Sequence, residues 1–183
     1  MSDSRALELK AKVRQSRLGL SEGVPGIGLC VLHPLSLVQV LARKGGAKAV
    51  ETGFAELHSV RVMQAGPGQY YVQATGRAEG ILATELKKKL RASASVVDQS
   101  HGRVVIRITG AKSRTVLSKG MPLDLHPDVF AVGQSAQTQM AHVGVHITRT
   151  DKDEFEISVF RGFSESLWGW LCAASSEFGC LVQ

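Results

Sequence analysis

The chain says the same thing twice. Leu37–Phe54, "LVQVLARKGGAKAVETGF", and Arg103–Gly120, "RVVIRITGAKSRTVLSKG", each run from a β-rich stretch through Gly-Ala-Lys into a helical stretch. Gly46-Ala47-Lys48 answers Gly110-Ala111-Lys112. A second pair follows, Ser59–Leu82 and His142–Leu167, each with a strand, a polar tip, a strand, an arginine and a helix. The tips, Gly66-Pro67-Gly68 and Asp151-Lys152-Asp153, have hairpin chemistry. Both halves thus read strand–helix–strand–strand–helix, and Ala92–Gln99 closes the first half with one more strand. That order is the split βαβ plan. It predicts an α+β chain of two ferredoxin-like units in tandem, with antiparallel sheets covered by helices.

Three segments follow from this. Residues 1–30 form a basic, flexible N-terminal arm; 31–100 form the first half; 101–183 form the second, with an insertion at 121–141 that the first half lacks. The insertion carries two prolines and no sustained period, so it is expected to be an irregular excursion. "GVPGIGLC", Gly23–Cys30, is expected to be a flexible linker. It lacks the third glycine of a dinucleotide loop and precedes a strand instead of following one.

Periodicity places the side chains. Val104, Ile106 and Ile108 share one strand face, and Val143, Val145 and Ile147 share another. Arg103, Arg107, His142 and His146 fall on the opposite faces, which must meet water, the other half or another chain. Helical spacing appears at Ala47, Val50, Phe54 and Leu57, and at Ala78, Leu82, Leu86 and Leu90. The last helix lines up Phe163, Leu167, Trp170, Leu171, Ala174 and Phe178, leaving Trp168 off the stripe by roughly 110° at ~100° per residue. Trp168 therefore lies either under the insertion or at an interface.

The chemical motifs are weak. Gly110-Ala111-Lys112-Ser113 has an alanine where a phosphate loop needs glycine next to lysine, so it is a plain β-to-α turn. His142 and His146 are four apart on a strand, which separates them by about 13 Å, too far for one metal. No G-x-S-x-G occurs, and Cys30, Cys172 and Cys180 sit in no catalytic context and form no C-x-x-C. Three reduced thiols suit a cytoplasmic protein. Asp124 and Asp128 in the insertion are expected to cap loop turns. No apolar run approaches the ~20 residues that span a bilayer. The net charge of +6 permits an RNA partner, but only Tyr70 and Tyr71 could stack bases, and adjacent strand residues face opposite ways. The lysine run Glu85–Arg91 is a solvated helix face.

One family resemblance stands out. "LSKGMPLDLHP", with "AQTQMAHV" behind it and "SESLWGWL" near the end, resembles the gamma subunit of bacterial heterotetrameric sarcosine oxidase. The likeness is strong from about Asp98 to Phe178, general through the first half, and absent from the arm. This family looks like a short relative of the folate-binding T-protein of the glycine cleavage system, an aminomethyltransferase. The resemblance implies a cytoplasmic bacterial complex of four different subunits that oxidises sarcosine to glycine and hydrogen peroxide. The methyl carbon leaves as formaldehyde or passes to tetrahydrofolate. It places FAD, FMN and NAD in larger alpha and beta subunits and zinc in a small delta subunit. No catalytic, cofactor or metal residue is expected in this chain, and neither nucleic acid nor membrane as partner. The expected partner interface comprises Leu123, Asp124, His126, Phe130, Trp168, Arg103 and Arg107. The competing functions are a small folate-dependent aminomethyltransferase-like protein and an RNA-binding ferredoxin-like module.

Overall fold

The computed structural model describes residues 25–183; most of the expected arm, residues 1–24, lies outside them. The chain forms two compact units, one of Pro34–Arg103 and a larger one of residues 25–33 with Val104–Gln183.

The described chain enters on strand β1 (Ile27–Val31), which belongs to the larger unit. The smaller unit then runs β2 (Leu35–Ala42), α1 (Ala47–Ala55), β3 (Arg61–Gly66), β4 (Gln69–Thr75), α2 (Ile81–Leu90) and β5 (Ala94–Asp98). Its sheet order is β3-β4-β2-β5, and all three pairings are antiparallel. This is the split βαβ arrangement, in which each helix crosses over an intervening strand. Val38, Val40 and Val72 face Val50 and Phe54 of α1 and Leu82, Leu86 and Leu90 of α2 in one core. Burial of each such side chain contributes about 1.5–3 kcal/mol. The Tyr70 ring meets Phe54 edge-on at 5.1 Å, and its hydroxyl donates to Glu51 at 2.9 Å. Lys87 and Lys88 of the lysine run are exposed in the last turn of α2, where cations suit the helix dipole.

The larger unit continues with β6 (Arg103–Thr109), α3 (Ser113–Ser118), β7 (Ser135–Met140), β8 (Val143–Asp151), β9 (Glu154–Phe160), α4 (Ser164–Ser175) and β10 (Cys180–Val182). Its six strands are ordered β10-β1-β6-β9-β8-β7. Without β1 and β7 this is the smaller unit's order again. The repetition reaches fine detail. The β3–β4 hairpin shifts register between Gln64 and Gly66, and the β8–β9 hairpin shifts between Arg149 and Asp151, each just before its tip. A bulge recurring at one place in both halves belongs to the shared design.

Two expectations need correction. Gly23–Cys30 is no linker from Ile27 onward, because β1 runs parallel to β10 and antiparallel to β6 inside the sheet. Ile27, Leu29 and Val31 point into the core on alternate residues. Gly28 marks a close approach instead of flexibility: a Cβ there would lie 2.5 Å from Thr109 Oγ1. The insertion is also not wholly irregular, since its last six residues before Ala141 form β7. The division falls after His33 and after Arg103, where 30 and 100 were expected.

A chain beginning at Leu32 tests the first correction. It loses three core side chains worth roughly 1.5–3 kcal/mol each, together with two ladders of hydrogen bonds. That approaches the ~5–15 kcal/mol total stability of a typical domain. Urea unfolding followed by tryptophan fluorescence should show no cooperative transition for this chain; an unchanged midpoint would mean that β1 is dispensable.

Candidate functional site

The excursion 121–134 is held in place from within. Met121, Leu125 and Phe130 are buried among the core side chains of the sheet, α3 and α4. Polar clamps fix the rest. Arg149, only 4% exposed, donates to the carbonyls of Phe130 at 2.7 Å, Lys152 at 2.9 Å and Asp151 at 3.2 Å. One guanidinium therefore ties the excursion to the β8–β9 tip. Arg114 holds the tip from α3, donating to the Asp153 carboxylate at 2.5 Å and to Lys152 O at 2.9 Å. Asp124 accepts the backbone N–H of His126 at 2.8 Å. This is the turn-capping role expected of it.

At the other end of the excursion lies a cavity of about 570 Å³. Lys119, Gly120 and Met121 after α3, Gln139 and His142 of the β7–β8 hairpin, and Trp170 of α4 line it. Gly120 is needed there, because a Cβ would strike the Trp170 ring at 2.5 Å. Ala141 N–H donates to Gly120 O at 2.9 Å and joins the hairpin to this loop. Ala141 and His142 form the two-residue turn, with φ of +47° and +67°. Such a turn normally takes Asn-Gly, and left-handed non-glycine residues cost about 1–3 kcal/mol each. The Lys119 ammonium is committed to Glu177 and to Ala174 O at 2.8 Å, and lies over the Phe178 ring at 4.9 Å. The lysine of this cavity is thus already paired, and the lining offers shape and hydrogen-bonding groups in place of free positive charge. The residues of "LSKG", "MPL" and "QMAH" converge here from two separate stretches.

The expected interface residues do not stay together at the surface. Trp168 is 3% exposed and Phe130 5% exposed, both within the core, so neither can anchor a partner. The buried stripe of α4 is Ser164, Leu167, Trp168, Leu171, Cys172 and Ser175. Hydrophobic spacing favours Phe163 and Trp170, whereas the observed stripe is completed by serines and a cysteine. Arg103 is also buried, its guanidinium 5.0 Å from the Tyr71 ring centre. Arg107 bonds Glu156 at 2.8 Å and Glu154 at 3.3 Å. His142 sits in the turn, not on the strand face with His146, which is itself buried. Leu123 is half-buried, while Asp124 and His126 remain exposed. Burial pushes the thiol of Cys172 up to about 11 and that of Cys180 to about 12, so both stay protonated at neutral pH. Among the described residues no cluster of three or more His, Cys, Asp or Glu could hold a metal, and no helix is long and apolar enough to cross a membrane.

Comparison with known proteins settles the family. A model of the sarcosine oxidase gamma subunit family matches residues 50–177. The chain belongs to that family. The sarcosine oxidase subunit gamma of Corynebacterium sp. strain P-1 is 33% identical over 72% of this chain and 68% of its own. That of Corynebacterium sp. strain U-96 is 29% identical over 97% of this chain and 83% of its own, so the likeness extends well beyond the motifs quoted above. In structure, the chain matches one in the heterotetrameric sarcosine oxidase of Corynebacterium sp. U-96 with a TM-score of 0.82, at 24% identity over 97% of this chain and 95% of that one. It also matches the glycine cleavage system aminomethyltransferase T of Bartonella henselae with a TM-score of 0.61, at 16% identity over 97% of this chain and half of that one. The α+β fold is thus shared with nearly the whole of the first chain and with half of the second.

Two substitutions test the geometry. Trp168→Ala should destabilise the isolated chain by about 3–5 kcal/mol, whereas an interface tryptophan would leave its melting temperature nearly unchanged. Arg149→Lys should lose most of what the fork supplies, because one ammonium cannot span three carbonyls. Charged hydrogen bonds are worth ~1.5–3 kcal/mol each, so urea midpoints for Arg149→Lys near wild type would mean the clamp is idle.

Proposed function

We propose that this chain is the non-catalytic gamma subunit of a heterotetrameric sarcosine oxidase and supports assembly of its larger flavin subunits. The observation that carries the proposal is the family match across residues 50–177. In the complex, sarcosine, oxygen and water give glycine, formaldehyde and hydrogen peroxide, with tetrahydrofolate as the alternative acceptor of the methyl carbon. FAD, FMN and NAD belong to the alpha and beta subunits and zinc to the delta subunit; the assembly works in the bacterial cytoplasm. The polar groups of this chain support such a role. Its buried arginines and carboxylates bond to one another, to an aromatic ring or to backbone carbonyls. Exposed Asp124, His126 and half-buried Leu123 on the excursion, with partly exposed Arg107, remain as contacts for a partner.

The test is to express this chain alone and together with the genes for the other subunits. Alone it should carry no flavin absorbance and no sarcosine-dependent peroxide formation; co-expressed, it should purify with the flavin subunits in fixed stoichiometry. Turnover or tight tetrahydrofolate binding by the lone chain would overturn the proposal.

A further inference from the structure

The larger sheet ends in β7, and that edge differs from the others. Natural sheets blunt their edges with short strands, charges, prolines or bulges, because an open edge pairs with other chains. Here β10 has three residues, β5 is short and ends in Asp98, and β3 begins with Arg61 and is bulged. By contrast β7, "SAQTQM", has six residues, no charge and no proline, and pairs with β8 without a register shift.

The register shows which groups are offered. The two-residue turn makes Met140 and Val143 a hydrogen-bonded pair, and Arg149 N–H donates to Gln134 O at the far end. Pairing alternates along an antiparallel ladder. The N–H and C=O groups of Ser135, Gln137 and Gln139 therefore point away from β8, and no backbone hydrogen bond reaches them among the described residues. Gln137 and Gln139 are exposed. Just before the strand in sequence, the apolar Val129 and Val132 are 58% and 54% exposed. At its other end Gln139 lines the cavity.

We propose that another subunit of the oxidase adds an extended segment to the edge of β7. Main-chain hydrogen bonds to Ser135, Gln137 and Gln139 supply the affinity, and side chains supply the choice of partner. The edge is uncharged, so the incoming segment is uncharged and apolar. It covers Val129 and Val132 and places one bulky side chain in the cavity beside Trp170. This rests on the gamma-subunit proposal and names the surface through which that role is exercised.

Amide exchange of the isolated chain and of the co-expressed complex tests it. In the complex, the amides of Ser135, Gln137 and Gln139 should exchange about tenfold more slowly or better, equivalent to ~1.4 kcal/mol of added protection. Gln137→Pro removes an outward N–H without breaking the β8 ladder, and should keep the chain folded while weakening co-purification at least about tenfold. If the proline unfolds the chain, the paired Gln137→Lys and Gln139→Lys substitutions ask the same question with the backbone intact. A complex that forms with unchanged exchange at these amides, and with all the variants, overturns the edge proposal and leaves the gamma-subunit role standing. Failure of the wild-type chain to join the flavin subunits overturns both. Concentration-dependent protection and dimerisation of the isolated chain would assign the edge to a second copy and overturn the partner named here.

Discussion

Ile27, Leu29 and Val31, alternating on one face of β1, tie the larger unit together. The chain must lay this strand down first, build the whole smaller unit, and return with β6 before β1 has an antiparallel neighbour. It gains its parallel neighbour only with β10, the last element. The core of the larger unit is therefore completed by contacts distant in sequence, which are entropically slow to close. Its position also explains why the two halves look different although their plan is one. In the smaller unit β5 lies directly against β2, whereas in the larger unit β1 takes the equivalent place and displaces β10 outward.

The duplication was legible because each hairpin carries turn chemistry at its tip and each strand alternates cleanly. Helices α1 and α2 were legible through Val50, Phe54, Leu82, Leu86 and Leu90 at helical spacing. What escaped notice had weaker local signals. The glycines around β1 suggest flexibility until Thr109 is seen beside Gly28, a contact 81 residues away. The Ala141-His142 turn has none of the residues such turns prefer, so the sequence pattern starts the strand one residue early. The buried stripe of α4 includes Ser164, Cys172 and Ser175, which a hydrophobic pattern passes over. Trp168 falls outside the hydrophobic pattern for the same reason.

The site was legible as sequence and not as geometry. The runs that carry the family likeness, "LSKGMPL" and "AQTQMAHV", are separated by 12 residues, yet they close on one cavity. An excursion of this length survives in a compact unit because its apolar residues enter the core and Arg149 accounts for carbonyls that would otherwise lie buried without donors. The same clamp keeps β7 registered on β8 at the Arg149 end, through Gln134 and Gly133. A rigid excursion on one side and a strained turn on the other thus present the outer strand as a fixed surface. For a subunit proposed to act through assembly, such pre-ordering lowers the entropy that docking must overcome.

The larger unit depends on β1 being an interior strand of its sheet. Native-state amide exchange of the isolated chain reads this directly. The β1 amides that donate into the β6 and β10 ladders should exchange only through unfolding of the whole larger unit, as slowly as the slowest amides of β6 and β9. Exchange of those β1 amides at the rate of an exposed loop, while β6 stays protected, would contradict it.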